Sequence, residues 1–358
     1  MSGFDLDKYR LVVCLGPGGV GKTTLSATLA LGAASGGRST DVMTIDPAPR
    51  LLDALGVKGE AHEPQTVELS GKAARLRALK LDPKRTFDEL IMRYAPSQRA
   101  SEAILAGRIY QSLSRALAGV ADYMAMERVL ALSREGAAEL IVLDTPPATD
   151  ALRFLDAPQR MLELLNSRAA ALLGASRGLL RGPQGVFDLA ARTVLTAFDR
   201  LTGLHLLSDI HAFVRSFDGM YEGFATRAAA MQKLLRAEDT AIVLVTIPER
   251  ERIEQIALFL EALERMQIGI TALVVNRLMK ELPSETELTP SPLTAGLRGK
   301  ASRNLADFAA LKQRETLAVE TLRERVPATI PLMSAPDLGY EPRALHDLAA
   351  IAANLSHL

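Results

Sequence analysis

Five short apolar runs stand out along the chain. Leu11–Leu15, Asp41–Ile45, Leu140–Leu143, Ala241–Ile247 and Ile270–Val275 are rich in leucine and β-branched residues and almost free of internal polar positions. A strand with one wet face alternates apolar and polar residues. A nearly continuous run suits a strand covered on both faces, as in a parallel sheet between helices. Helical stretches separate the runs. The pattern predicts an α/β fold with a doubly wound, mostly parallel sheet. Ligands on such sheets bind at the carboxyl ends of the strands.

Two longer stretches, roughly 85–134 and 155–237, break the alternation with helical periodicity. In the second, Leu206, Ile210, Phe213, Phe217, Met220, Phe224, Ala228 and Met231 recur at steps of three and four, which makes one sustained apolar helix face. The expected organisation is a single domain over residues 1–358 with a helical subdomain inserted into it. Gly174–Gly185 reads as a connector inside that subdomain, and Pro283–Gly299 as a loop.

Composition narrows the options. Of 358 residues 48% are hydrophobic and 23% charged, the balance of an ordinary globular chain. Aromatics are only 4% with no Trp, so the core must be built from Leu, Ala, Val, Ile and Met. Lys plus Arg and Asp plus Glu both total 42, which argues against bulk attraction to nucleic acid or an anionic membrane. No run of ~20 uncharged apolar residues is present, so no integral membrane segment is expected. The polar opening MSGFDLDKYR is unlike a secretory leader, and the single cysteine, Cys14, allows no internal disulfide. A cytoplasmic location is expected.

The sharpest chemical signal is Gly16-Pro17-Gly18-Gly19-Val20-Gly21-Lys22-Thr23-Thr24, which satisfies G-x-x-x-x-G-K-[ST]. It follows an expected strand (Tyr9–Leu15) and precedes an expected helix (Thr24–Ala34), the setting a phosphate loop needs. Gly18, Gly19, Val20 and Gly21 would turn backbone N–H groups toward phosphate oxygens, and the helix N-terminus would add its free amides and positive dipole end. Lys22 would reach the β and γ phosphates, Thr23 would ligate Mg²⁺, and Thr24 would contact the α phosphate. The expected cofactors are ATP and Mg²⁺.

Two aspartates end apolar runs, Asp46 in Thr44-Ile45-Asp46-Pro47 and Asp144 in Leu143-Asp144-Thr145-Pro146. Both would reach the carboxyl edge of the sheet beside the phosphate loop. Phosphoryl transfer needs a positioned water and neutralised charge more than covalent help. One carboxylate could orient the water and the other hold Mg²⁺. His62, His205, His211, His346 and His357 fall in no motif at metal-ligand spacing.

These residues resemble a family. Gly18–Thr24, Asp46-Pro47-Ala48, Asp144-Thr145-Pro146-Pro147 with Leu152-Arg153-Phe154-Leu155, Val274-Val275-Asn276 and Pro331-Leu332 are similar, in order, to the ArsA-type P-loop ATPases of arsenite pumps and tail-anchored-protein targeting. The resemblance implies a P-loop NTPase fold and catalytic roles for Lys22 and for Asp46, the latter on the attacking water. It makes Asp144 the second-switch aspartate of the metal site. Asn276 would read the adenine edge, near backbone groups around Pro336 and Asp337. It also implies a homodimer closed by ATP and opened by hydrolysis, with a protein client held at the helical subdomain.

Some positions depart from the family. Pro17 stands where the family carries a lysine that crosses to the partner's nucleotide, and Arg50, four residues after Asp46, is a candidate substitute charge. There is no Cys-x-x-Cys for an intersubunit zinc, no arsenite-binding cysteine set, and Asp150 replaces a second-switch histidine. The leading expectation is a nucleotide-switched ATPase acting on a protein client. A non-hydrolysing scaffold and a partition or positioning ATPase stand as alternatives, and no nucleic acid is expected as a partner.

Overall fold

The computed structural model describes residues 4–59, 61–69, 75–108, 110–111, 118–146, 148–166, 220–281 and 295–357. The Gly174–Gly185 connector, the apolar face from Leu206 to Phe217, and Pro283–Thr294 lie outside the described residues.

The described strands are β1 (Leu11–Leu15), β2 (Thr40–Thr44), β3 (Gln65–Thr66), β4 (Leu76–Lys80), β5 (Leu140–Asp144), β6 (Thr240–Thr246), β7 (Ala272–Leu278), β8 (Leu332–Pro336) and β9 (Ser356–His357). They form one nine-stranded sheet in the order β3-β4-β2-β5-β1-β6-β7-β8-β9. All pairings are parallel except those of the two edge strands, β3 with β4 and β9 with β8. Every residue of β1, β2, β5 and β6 is buried, which is why these strands are largely apolar, with the buried Asp41 of β2 an exception.

The described helices are α1 (Lys22–Ser35), α2 (Arg50–Ala54), α3 (Pro83–Tyr94), α4 (Gln98–Ala106), α5 (Ala118–Glu135), α6 (Ala148–Asn166), α7 (Tyr221–Leu235), α8 (Arg250–Arg265), α9 (Ala295–Arg325) and α10 (Leu345–Ala353). The chain divides into two compact units. The first comprises residues 1–80, 135–152 and 236–358, and the second residues 81–134 and 153–235. The first contains the sheet. Its core runs from β1 and α1 through β2, β5, β6 and β7 to Leu348 and Ile351 of α10.

Four strands escaped the apolar-run pattern. β4 reads Leu-Arg-Ala-Leu-Lys and looks half polar, yet Arg77 sits in register opposite Asp41 of β2 and grips its carboxylate with two 2.7 Å bonds. A buried acid on one strand therefore required a base on the next. β8 alternates buried and half-buried positions, and β3 and β9 have two residues each.

The described part of the second unit is helical. Its most buried polar pair is Glu127 of α5 with Arg227 of α7, and Arg227 also lies over the Tyr94 ring at 4.7 Å and bonds that residue's hydroxyl. Met220, Phe224, Ala228 and Met231 are all buried. The described part of the sequence-predicted apolar face is therefore core. It offers no open groove to a client, because amphipathic helices bury such faces against their neighbours.

Candidate nucleotide site

β1 lies at the centre of the sheet between β5 and β6, and the loop after it leads into α1. The helix begins at Lys22, two residues before its expected start, so Lys22 and Thr23 form its first turn with free amides toward the loop. Two glycines have steric reasons to be there. Gly16 has φ +152°, and a β-carbon on it would sit 2.2 Å from the Val245 carbonyl oxygen of β6. Gly21 has φ +89°, and a β-carbon on it would sit 2.2 Å from Nδ2 of Asn276. A side chain at either would break the packing that shapes the loop.

The loop opens on a cavity of about 1050 Å³, at the upper end of ligand-site volumes. Gly19, Gly21, Lys22, Thr23, Thr24, Asp46 and Asn276 all line it. Gly18 and Val20 are not among its lining residues. The Val20 side chain is fully buried in the core, and its carbonyl accepts a 2.8 Å bond from Asn276 Nδ2. Asn276 reaches the loop because the β7–β8 register shifts between Val275 and Leu278, where Arg277 takes φ +60°. Such bulges re-aim side chains beside functional sites.

The carboxylates meet the loop through threonines. Oδ2 of Asp144 accepts the hydroxyls of Thr23 (2.8 Å) and Thr44 (2.9 Å). The Thr44 hydroxyl oxygen in turn accepts the Asp46 backbone N–H at 3.1 Å, and Asp46 Oδ1 accepts the N–H of Ala48. Thr44 thus joins the two strand-end aspartates. Sequence reasoning gave it no role, and its only signal was its place at the end of β2. Thr145, which lines the cavity and also had no assigned role, donates to the Cys14 carbonyl at 2.6 Å.

Burial pushes the Asp144 carboxyl up to about 6, the Asp46 charge adds to that shift, and the Thr23 and Thr44 hydroxyls with Lys22 oppose it. Its Oδ1 is buried and has no hydrogen-bond partner. A buried acceptor left without a partner in this way suits a hydrated cation. Among the described residues no group of three His, Cys, Asp or Glu could hold a metal unaided. Lys22 is buried, and its Nζ donates to the Pro17 carbonyl at 3.0 Å. Desolvation draws its ammonium below the ordinary lysine range, against the pull of Asp144, Cys14 and Asp46. A phosphate oxygen could take the place of that carbonyl. Arg50, at the start of α2, is exposed and lines the same cavity.

A glycine loop closing onto a helix N-terminus, with threonine-linked carboxylates at the ends of parallel strands, defines a P-loop nucleotide-binding protein. Residues 9–290 match the family model described as anion-transporting ATPase, and the chain belongs to that ATPase family. It is similar to "ATPase GET3" of Podospora anserina, with 27% identity over 289 residues covering 78% of this chain and 76% of the relative. It is also 31% identical over 185 residues to "ATPase get3" of Neurospora crassa, covering 50% of this chain and 51% of the relative. A third match is "ATPase GET3" of Malassezia globosa, 32% identical over 154 residues, 43% of this chain and 44% of the relative. The last two alignments span about half the length of those relatives. No described helix is long and apolar enough to cross a membrane.

Proposed function

We propose that this chain binds and hydrolyses Mg-ATP at the Gly16–Thr24 loop and works as a cytoplasmic, nucleotide-switched homodimer that handles a protein client. The observation that carries the reading is the link from Thr23 through Asp144 and Thr44 to the Asp46 backbone, with the other Asp144 oxygen, Oδ1, buried and unpartnered. Thr23 and Asp144 would hold Mg²⁺, which would supply charge neutralisation at the phosphates. Lys22 binds the β and γ phosphates, and the loop and α1 amides orient the chain of phosphates. Asp46 sits half-buried at the cavity wall, where its carboxylate can orient an attacking water. Asn276 buttresses the loop and faces the base side. The described part of the 206–231 face is core, so the client is assigned to the helical unit as a whole.

Pro17 favours a second reading, a nucleotide-binding scaffold without turnover. Proline cannot supply a backbone donor or a crossing cation, and such a cation is worth roughly 10³–10⁵ in rate. Steady-state ATPase activity of the wild type, Lys22→Ala and Asp46→Asn, with oligomeric state followed in parallel, separates the two. Hydrolysis lost in both variants, with ATP-dependent pairing of the wild type, supports the switch. Tight ATP binding without turnover supports the scaffold.

A further inference from the structure

One wall of the nucleotide cavity is irregular chain, and the Asp347 carboxylate ties it to the start of α10. Tyr340, Glu341, Pro342 and Arg343 line the cavity between β8 and α10. Asp347, in the first turn of α10, is buried. Its Oδ2 accepts the backbone N–H groups of Arg343 at 3.0 Å and Ala344 at 3.1 Å, and its Oδ1 accepts the Tyr340 hydroxyl at 2.9 Å. His346 Nε2 lies 3.1 Å from the same Oδ1. The Arg343 amide, the Tyr340 hydroxyl and the other donors hold the carboxyl below its usual range, so it stays ionised at neutral pH.

Part of this arrangement is a helix cap. Acids in a first turn commonly accept N-terminal amides, and Ala344 at the N-cap has no side-chain acceptor of its own. A cap does not need Tyr340. That phenol closes the loop back onto the carboxylate, and Tyr340 stays 58% exposed, at the lip of the cavity. α10 also packs on α1, the helix of the phosphate loop. A β-carbon built on Gly32 would lie 3.8 Å from that of Ala352. The helix that anchors this wall therefore rests on the helix that ends the phosphate loop.

We infer that Asp347 is a positioning residue for the nucleoside half of the ligand. By tying Tyr340 and the Arg343–Ala344 backbone together it sets the wall on which base and ribose rest, and so governs nucleotide affinity more than the chemical step. The inference rests on the nucleotide reading of the cavity. Among the described residues its hydrogen bonds are separate from those joining Thr23, Thr44, Asp46 and Asp144, which is why affinity and turnover should part company.

The test compares wild type, Asp347→Ala and Tyr340→Phe in the full-length protein, by Mg-ATP titration, steady-state ATPase kinetics and thermal melting. Tyr340→Phe keeps the cap and removes only the tether. Expected are a rise in Kd and KM of about tenfold for Asp347→Ala and about threefold for Tyr340→Phe, with kcat within about twofold of wild type. A folded Asp347→Ala protein with wild-type Kd overturns the inference, as does a fall in kcat at unchanged KM. If Asp347→Ala does not fold, Tyr340→Phe decides, and a wild-type Kd there overturns it. Wild type that binds no Mg-ATP, with every variant folded, instead removes the nucleotide reading and this inference with it.

Discussion

Thr23 and Asp144 are 121 positions apart and share a 2.8 Å hydrogen bond. The sheet order makes it possible. β5 runs parallel beside β1, with Asp144 in register with Cys14, so the acid ending one strand reaches the helix that follows the other. In this geometry the hydroxyl proton of Thr23 points at the carboxylate, and its lone pairs remain for a cation. Asp144→Asn keeps the shape and removes the charge. It should lower Mg-dependent ATP hydrolysis by about 10²-fold or more. Nucleotide affinity measured in EDTA should stay at the wild-type value, and equal losses with and without metal would contradict the assignment.

Gly21 tests the loop sterically. Gly21→Ala places a methyl at φ +89°, on the Asn276 amide. The residue must strain or Asn276 must release Val20. The cost should be about 1–3 kcal/mol in chemical denaturation, with weaker Mg-ATP binding by titration calorimetry. Asn276→Ala in the same background makes room for the methyl. The double variant should therefore recover part of the stability lost in Gly21→Ala, while the bond to Val20 stays absent.

Cys14 gives a pH prediction. It is fully buried in β1, and desolvation pushes its thiol from 9.0 up to about 12. A raised acid pKa means that the native state keeps its proton after the unfolded chain has released it. Stability from this group is therefore present below about pH 9 and falls by about 1.4 kcal/mol per pH unit above it. Cys14→Ala should show a flatter alkaline limb than wild type in urea melts between pH 8 and 10. The native thiol should also resist a thiol reagent that titrates one equivalent after unfolding.

What the sequence made legible follows from where information is local. The phosphate loop is contiguous and constrained by backbone sterics, so Gly16–Thr24 could be read directly, and the buried central strands announced themselves by composition. Membership of the ATPase family was likewise legible from ordered motifs. The cavity's other wall was not. Tyr340–Arg343 gains its place through Asp347, by bonds between loop and helix-start positions that have no periodic signature, and the family resemblance reached only as far as Pro336 and Asp337. Thr44 was missed for a similar reason, since its hydroxyl matters only once β2 and β5 are adjacent. The apolar face was legible as a face, but periodicity does not say what covers it, and Met220 through Met231 proved to be core.

The helical unit carries its own test. Glu127 and Arg227 are both buried, and Glu127 Oε2 and Arg227 Nε have no further hydrogen-bond partner. Two charges taken out of water attract strongly, but their desolvation offsets most of the gain, so the pair contributes little net stability while a lone survivor is costly. Arg227 also stacks on Tyr94, which ties α7 to α3. Glu127→Gln should destabilise the protein by about 3–5 kcal/mol, because it strands the guanidinium. Replacing both residues with Met and Leu should cost far less, even though it also removes the guanidinium that stacks on Tyr94. Urea unfolding of the three proteins, followed by far-ultraviolet circular dichroism, measures this. A double variant as unstable as the single one would show that the pair itself, rather than the unpaired charge, holds the helices together.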